Sequence, residues 1–446
     1  MLKKFLIYTI LITSFIIFFY TIYKSEIIFD GERREFYVTY VILSIAGIIL
    51  GWLLKYLKTN HFTFIIICLF AIIISFYTFE FYVSYLVNKN LSDLNVQKKV
   101  ELYKKEYGKE YDSRSIYEYY LSQIKTKKNI KIDTSPANLL KYKDSKLFPL
   151  SGYSNSEIIL CNEYGYFNHI FTDRYGFNNP DNLWDMKKID YVLIGDSTIE
   201  GYCQDKQNTI AEYLRKFSNK SILNLGQGAA GTLQEYAILL EYIPENVESI
   251  IWFIADNAII DLEKELKHPI LYNYLIKNNA FQELKTKQLE VENFYRKIFT
   301  LEEQKQKKMK FIRFLKLDYL RTYMHTILNT KINNQIIYKD NDEENFLQFK
   351  KIMENVKKFC ESNDIDLNIV YLPSYRYFNN NVYKNKHYGP IKDILKDLEM
   401  NLIDINELVL KKESNVYDLW PFGLYGHYNN NGSDKISKAI FKFVMK

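Results

Sequence analysis

Three long apolar runs open the chain, at roughly Phe5 to Tyr23, Phe36 to Leu54 and Phe62 to Phe79. Each approaches the ~20 residues that a helix needs to cross the hydrocarbon core of a bilayer. The first run is longer than the roughly 7–15 apolar residues of a signal peptide and no small-residue cleavage site follows it, so it is expected to remain in the protein. The pattern predicts a membrane anchor of three transmembrane helices over residues 1–87. Glu80, near the end of the third run, is expected to be an interfacial residue.

Basic residues around these runs bear on the orientation of the anchor. Lys3 and Lys4 precede the first run and favour a cytoplasmic N-terminus. The two loops between the runs carry nearly equal numbers of basic residues. These are Lys24, Arg33 and Arg34 in the first loop and Lys55 and Lys58 in the second. Because the second loop is short and has no acidic residue, we prefer the orientation in which three spans place the large C-terminal part outside the cytoplasm.

The segment after the anchor is charged. Glu, Lys and Tyr recur at helix-like spacing in stretches such as EYYLSQIKTKK, which predicts a juxtamembrane helical linker over residues 88–128. Residues 130–190 carry turn signals, Ser151-Gly152 and Tyr164-Gly165 among them. This stretch is expected to be irregular and to pack against the domain that follows.

Apolar, β-branched runs then alternate with amphipathic helical patterns. The strand-like runs are DYVLIGDS, SILNLG, ESIIWFIAD, DLNIVYLPS and NLIDINELV, and the last helical pattern is SDKISKAIFKFVM. Continuous apolar strands between helices indicate a parallel sheet that is buried on both faces, hence a three-layer α/β fold. We predict one such domain over residues 129–446, with a helical insertion at about 267–340, where strand signals are lacking.

Charge and cysteine content exclude several functional classes. The chain has 59 Lys and Arg against 53 Asp and Glu, so the net charge of +6 is small for 446 residues and does not indicate nucleic-acid binding. The 4 Cys and 6 His show no spacing typical of a zinc site. Neither a metal nor a cofactor is therefore expected.

Polar or small residues stand where predicted strands end or the last helix begins. Ser197 follows the first strand in a Gly-Asp-Ser block, a small-residue turn at 224–231 follows the second, and Asn257 follows the third. His427 precedes the last helix. The carboxyl ends of parallel strands meet at one edge of a sheet, which gathers such side chains. The turn could also be a phosphate-binding loop, but it lacks a GKS or GKT tail and a complete G-x-G-x-x-G.

These blocks, in this order, resemble those of the SGNH/GDSL hydrolases. The segments FTDRYGFNNPDNLW, IDYVLIGDSTIEGYC and GHYNNNG resemble a subgroup of bacterial membrane-anchored SGNH proteins, and the resemblance covers roughly Thr172 to the C-terminus. It implies a flavodoxin-like α/β/α fold and a serine esterase, deacetylase or O-acyltransferase that acts on an acylated cell-surface or lipid-linked glycan through an acyl-serine intermediate. The implied location is the bacterial inner membrane, with the soluble domain in the periplasm.

The resemblance also assigns roles to residues. Ser197 would be the nucleophile and His427 the general base. The oxyanion donors would be the backbone N–H of Ser197, a backbone N–H of the turn from Gly228 through Ala229 to Gly231, and the side-chain amide of Asn257. Two blocks depart from the family pattern: Ala229 stands where Gly is usual, and the third block reads Ala-Asp-Asn-Ala, which leaves the register of Asn257 open by one position.

The acid that should orient the histidine is the largest departure. The family places an Asp three residues before the His, and that position is Leu424 here. Asp418, nine residues before His427, is our predicted acid, on the condition that the intervening WPFG segment folds back. Asp404 is the second candidate, and a Ser-His dyad oriented by a backbone carbonyl is a third arrangement.

Cys161 and Cys203 both lie on loops that flank the proposed site. In an oxidising compartment they could form a disulfide that ties the irregular segment to the nucleophile loop, and two unpaired thiols are an equally acceptable interpretation.

A second functional class remains open at this point. The missing Asp and the altered turn would also fit a catalytically inactive protein of the same fold that organises a glycan-assembly complex in the cell envelope. The expected partners are thus an acylated glycan substrate, the membrane and an envelope-assembly protein.

Overall fold

The computed structural model describes residues 2–28, 31, 34–88, 94–127, 129–277, 281–322, 342–379 and 387–445. The chain forms two compact units. One comprises Met1–Val83 and Arg313–His325, and the other comprises Ser84–Ile312 and Thr326–Lys446. Of the segment 267–340 that we expected to be one helical insertion of the α/β domain, residues 278–280 and 323–340 lie outside the described residues, and residues 313–322 belong to the first unit.

The first unit contains three apolar helices. They are α1 (Leu2–Ile22), which continues as a π-helical turn, α2 (Arg34–Leu54) and α3 (Thr59–Asn88), of which residues 84–88 belong to the second unit. Three stretches, Lys3–Ile28, Tyr37–Leu54 and Thr59–Leu86, are long and apolar enough to cross a membrane. Most of their side chains face outward, as lipid-facing side chains do. The three predicted apolar helices of the membrane anchor are confirmed.

Glu80 on α3 differs from the expectation of an interfacial residue. Its side chain is fully buried within the first unit. The two carboxylate oxygens accept the backbone N–H groups of Tyr319 and Leu320 at 3.1 and 2.7 Å. These two residues belong to a helical turn at 318–322, so Glu80 satisfies N–H groups that a helix start leaves without partners.

The second unit begins with two helices and a small sheet. The helices are α4 (Leu94–Tyr107) and α5 (Ile116–Gln123). The strands are β1 (Ile130–Ile132), β2 (Glu157–Ile159) and β3 (His169–Phe171). β2 pairs in parallel with β1 and antiparallel with β3. The stretch that we expected to be irregular thus carries a short sheet, whose strands are too brief for a clear period-two pattern.

A five-stranded parallel sheet forms the centre of this unit. Its strands are β4 (Ile189–Ile194), β5 (Ile222–Asn224), β6 (Val247–Ala255), β7 (Asp366–Leu372) and β8 (Asn401–Asp404). Their spatial order is β5-β4-β6-β7-β8, which is the flavodoxin-like order 2-1-3-4-5. The predicted α/β fold with a parallel sheet is confirmed.

Helices cover this sheet on both sides. From residue 196 onward the helices with complete bounds are α6 (Ser197–Glu200), α7 (Ile210–Ser218), α8 (Thr232–Tyr242), α9 (Ala258–Glu265), α10 (Pro269–Ile276), α11 (Gln288–Leu315), α12 (Asp342–Ser362), α13 (Tyr375–Asn379), α14 (Tyr388–Asp397), α15 (Ile405–Leu408) and α16 (Asn430–Val444).

Alternate residues of each strand enter two separate cores. Val192 and Ile194 of β4 belong to the core that α8 and α12 close, whereas Tyr191 and Leu193 belong to the core that α7 and α16 close. This division follows from the period-two alternation of side chains along a strand. The sheet is therefore the middle of three layers, and the loops at its carboxyl edge are left to form a site.

Candidate active site

Ser197 is the first residue of α6, directly after the turn that follows β4. β4 ends at Ile194, and Asp196 caps α6 by accepting the backbone N–H of Thr198 at 2.8 Å. Because the strand order reverses between β4 and β6, this turn borders the crevice in which open α/β sheets bind ligands. The backbone N–H of Ser197 donates to no group in the described part of the chain.

His427 reaches Ser197 from the loop before α16. Its Nε2 lies 2.9 Å from the Oγ of Ser197, across a sequence separation of 230 residues. Gln204 holds this loop in place, since its Nε2 donates to the Oγ of Ser433 at 2.7 Å and to the carbonyl oxygen of Tyr428. The structure therefore brings together the two residues for which the resemblance implied a shared site.

Glu163, in the loop between β2 and β3, contacts the other side of the imidazole. Its Oε1 lies 3.1 Å from the Nδ1 of His427, and its Oε2 accepts the backbone N–H of His427 at 2.8 Å. This network assigns the tautomer in which Nδ1–H donates to the carboxylate and Nε2 faces the serine as an acceptor. Ser197, His427 and Glu163 thus have the connectivity of a nucleophile, a base and an orienting acid.

Asp418, our predicted acid, makes no contact with His427 in the described chain. It lies in the 3-10 turn Val416–Leu419, and its carboxylate accepts from the Nδ2 of Asn415 at 2.7 Å. The carbonyl oxygen of Asp418 accepts from Asn429 at 2.8 Å. The prediction is wrong in its geometry, because this turn commits the carboxylate to Asn415.

Asp404, the second candidate, is also engaged elsewhere. Its carboxylate pairs with the Nζ of Lys392 at 2.7 Å and accepts the hydroxyl hydrogen of Tyr388 at 2.6 Å. The third arrangement, a histidine oriented by a backbone carbonyl, is not the one observed, because a carboxylate occupies the position next to Nδ1.

Cys161 and Cys203 form a disulfide, with their Cα atoms 5.3 Å apart. Cys161 precedes Glu163 by two residues, and Cys203 follows Ser197 by six. The bond therefore joins the loop that carries Glu163 to the loop that follows Ser197.

The charged forms of His427 and Glu163 stabilise each other. Burial works against the charged imidazole, but the adjacent Glu163 carboxylate outweighs burial through its charge and hydrogen bond and raises the pKa of His427. Burial likewise opposes the charged carboxylate, yet His427 holds the pKa of Glu163 below its ordinary value. A histidine with a raised pKa is a stronger proton acceptor, as a general base requires.

Glu163, Cys203 and His427 also lie close enough together to consider a metal ion, with ligand atoms within 4.8 Å of one another. The sulfur of Cys203 is committed to the disulfide, and a metal-ligating cysteine needs a free thiolate. With the disulfide intact, one carboxylate and one imidazole remain, which is fewer than the three protein ligands of a typical catalytic zinc site.

The turn after β5 presents one backbone donor toward solvent. Ala229 is exposed and adopts a left-handed conformation with φ of 55°. Its N–H has no acceptor among the described residues, whereas the N–H of Gly231 donates to Glu265 at 2.7 Å and that of Ala230 donates to Gln227 at 3.2 Å. Of the predicted turn donors, the N–H of Ala229 is therefore available to a ligand.

Buried carboxyl groups lie behind this turn. A methyl group at Gly228 would stand 3.0 Å from Oε2 of Glu200, and Ser135 donates its hydroxyl to the carbonyl oxygen of Gly228. Burial, together with the charge of Asp133, raises the pKa of Glu200 well above its ordinary value. Burial therefore disfavours a negative charge on Glu200, beside the turn that is the candidate oxyanion donor.

The backbone of this turn packs directly on the nucleophile helix. A Cβ at Gly226 would lie 2.4 Å from the backbone nitrogen of Glu200 in α6. Asn179 braces the same region by donating to the carbonyl oxygen of Asn224 and accepting its N–H, both at 2.8 Å. The FTDRYGFNN segment therefore contributes to the site through support of the turn and of α6.

Asn257 follows β6 at the same edge of the sheet. It adopts φ of −94° and ψ of 0°, in the bridge region where many active-site residues are found. Its Nδ2 donates to Asp261 at 2.5 Å, which orients the amide and leaves its second hydrogen free of that bond. The oxyanion role of Asn257 stays a prediction.

Glu163 is the site residue that sequence reasoning missed. Glu163 lies 264 residues before His427, far from the segment in which the family pattern places the acid. One signal was present: Cys161 in ILCNEYG was already a candidate partner of Cys203, and a bond between them brings Glu163 to the nucleophile loop.

Comparison with known proteins adds little to this geometry. The chain matches no protein-family model and no curated protein. A solved structure that it matches is that of a Desulfitobacterium hafniense protein named for the lipolytic G-D-S-L family, at 12% identity, with coverage of 57% of this chain and 99% of that chain and a TM-score of 0.32. A likeness at this TM-score carries no argument, so the resemblance to SGNH/GDSL hydrolases rests on the residues of this chain.

Proposed function

We propose that the protein is a membrane-anchored serine hydrolase or acyltransferase that forms an acyl-enzyme on Ser197. The observation that carries this proposal is the continuous set of contacts from the Oγ of Ser197 through the two imidazole nitrogens of His427 to Glu163. Its position next to the strand-order reversal of a flavodoxin-like sheet supports the same function.

The chemistry begins with attack of the serine oxygen on an ester carbonyl. The Nε2 of His427 takes the hydroxyl proton, and Glu163 stabilises the imidazolium that forms. The backbone N–H groups of Ser197 and Ala229, together with the Asn257 amide, would donate to the oxyanion. His427 then returns the proton to the leaving alcohol, and the acyl group passes from Ser197 to water or to a sugar hydroxyl.

An acylated glycan at the outer face of the bacterial cytoplasmic membrane is the substrate class that we propose. The apolar helices keep the enzyme at the membrane, and the disulfide between Cys161 and Cys203 supports an oxidising, extracytoplasmic compartment. If a sugar hydroxyl accepts the acyl group, an envelope protein partner would have to supply the acyl donor.

Covalent labelling tests the proposal. The full-length protein in detergent should react with a fluorophosphonate at Ser197 and hydrolyse p-nitrophenyl acetate, and Ser197→Ala and His427→Ala should abolish both reactions. Asp418→Asn is the matched control, because that carboxylate lies outside the site and its loss should leave labelling unchanged.

An inactive scaffold protein would give the opposite result. Folded wild-type protein would then show neither labelling nor ester turnover, and a Ser197→Ala strain would behave as wild type. That outcome would overturn the proposal of acyl chemistry.

A further inference from the structure

A cavity of about 450 Å³ lies between the small sheet and α11 in the second unit. Its wall includes the aromatic side chains of Tyr120, Tyr153 and Phe299 and the charged side chains of Lys131, Glu292 and Arg296. The volume is within the range of small-ligand sites, and such sites combine apolar walls with a few placed polar groups. Nothing in the proposed acyl chemistry uses these residues.

The aromatic part of the wall is held in place by ring contacts. Tyr120 and Phe299 meet edge to face at 5.8 Å between ring centroids, and Tyr153 contacts Tyr295 at 5.1 Å. Tyr153 is buried, so its ring is fixed by packing. Ordered aromatic side chains with polar groups beside them suit a sugar, whose C–H groups contact the rings while its hydroxyl groups meet the polar groups.

The charged part of the wall has an excess of positive charge. Neither Lys131 nor Arg296 forms an ion pair or a side-chain hydrogen bond with a described residue, whereas the carboxylate of Glu292 accepts the hydroxyl of Ser154. Two cations and one anion leave a net charge of +1. A guanidinium without a protein partner is suited to a carboxylate or a phosphate, which it binds through two parallel N–H groups.

We infer that this cavity is a binding site for an acidic saccharide, in which Arg296 and Lys131 hold a carboxylate or phosphate of a sugar that rests against the aromatic wall. The conclusion about the substrate of the enzyme rests on the proposed function. If the site on the same unit transfers acyl groups, its substrate would be an acidic glycan. Binding itself requires no catalysis.

Isothermal titration of the full-length protein in detergent tests the inference. Trigalacturonate and glucose 6-phosphate are the two acidic probes, and maltotriose is the neutral one. We expect at least one acidic probe to bind more than tenfold more tightly than maltotriose, with an affinity that falls as salt is raised. Binding of trigalacturonate would identify the recognised anion as a carboxylate, and binding of glucose 6-phosphate would identify it as a phosphate.

Variants at two consecutive residues of α11, one inside the cavity and one outside it, make the test specific. Arg296→Gln should weaken binding of the acidic probe at least tenfold, and Arg296→Lys should restore part of it because the charge is kept. Lys297→Gln is the matched control, since Lys297 is exposed next to Arg296 and lies outside this cavity. Ser197→Ala should bind as wild type.

Three results would overturn the inference: equal affinity for maltotriose and the acidic probes, unchanged binding in Arg296→Gln, or no binding of either acidic probe at millimolar concentration. If inorganic phosphate binds as tightly as glucose 6-phosphate, the sugar does not contribute to binding, and the inference that the ligand is a saccharide is wrong. Ester turnover by wild type is measured in parallel, so failure of the acyl chemistry is seen separately from failure of saccharide binding.

Discussion

The carboxylate of Glu163 holds His427 through two separate atoms. One oxygen faces Nδ1 of the ring and the other accepts the backbone N–H of the same residue. The contact to the main chain fixes the position of the loop, and the contact to the ring fixes the tautomer and raises the pKa. Glu163 therefore fixes the position of His427 and raises the pKa of its ring.

Glu163→Gln should slow ester hydrolysis and shift its pH profile. The neutral amide keeps the size of the side chain but removes the charge that raises the pKa of His427. Because the base works only when unprotonated, the acidic limb of log(kcat/KM) against pH should move to lower pH, while the plateau falls by roughly 10²–10⁴-fold.

Asp418→Asn serves as the control, measured with p-nitrophenyl acetate over the same pH range. An acidic limb that stays at its wild-type pH in Glu163→Gln would show that Glu163 does not act on His427 as described.

Asn257→Ala tests the oxyanion role of the amide. Loss of one oxyanion donor should lower kcat by about 10²–10³-fold with a smaller change in KM, because the donor acts on charge that develops in the transition state. Asp261→Asn, which alters only the residue that orients the amide, should give a smaller loss. Equal kcat values for Asn257→Ala and wild type would remove Asn257 from the site.

Sequence alone was sufficient to predict the partners Ser197 and His427, because each stands in a short block at a predictable place, after a strand or before a helix. It was insufficient for Glu163, because the local signal, Cys161 two residues earlier, fits a disulfide with Cys203 and an unpaired thiol equally well. Its role depends on a loop of the small sheet that comes to the nucleophile only through tertiary packing and the disulfide.

At the scale of elements, the parallel sheet could be predicted from the sequence, whereas the small sheet and the assignment of the helical segment to the two units could not. Apolar strands such as β4 and β6 are long enough to be recognised as strands in the sequence. Their alternation with helices requires a parallel arrangement. β1, β2 and β3 have three residues each, too few for a period to emerge. Residues 313–322 were expected to belong to a soluble insertion, because sequence alone does not show the contacts with α3 on which their place in the first unit depends.

The disulfide should support both stability and catalysis. Replacing Cys161 and Cys203 by Ser removes a cross-link between residues 42 positions apart, for which loop entropy gives about 4 kcal/mol. We expect a lower melting temperature, and also a lower kcat, because the loop of Glu163 loses its bond to the loop after Ser197. Adding Glu163→Gln to this variant should then lower kcat by a smaller factor than the same substitution does in the wild-type protein.

Cys360→Ser is the matched control, because Cys360 is a buried cysteine outside the disulfide. Additive losses in the combined variant would mean that the disulfide acts on stability alone and does not position Glu163.

At the scale of the whole molecule, the proposed orientation has a direct readout. If the second unit lies outside the cytoplasm, alkaline phosphatase fused after residue 446 should be active in a bacterial host and green fluorescent protein at the same place should be dark. Deleting the first apolar helix leaves two spans and should reverse both signals. A fluorescent wild-type fusion would reject the periplasmic location.

Glu80 has a consequence for any attempt to release the second unit as a water-soluble protein. Residues 319 and 320 depend on its carboxylate, and Tyr77 on the same helix donates to the carbonyl oxygen of Leu315 at 2.9 Å. A shortened chain that starts beyond α3 would keep this stretch while discarding the surface that shields it. Solubilisation by truncation therefore calls for two cuts, one before the linker helices and one that excises the turn near residue 318.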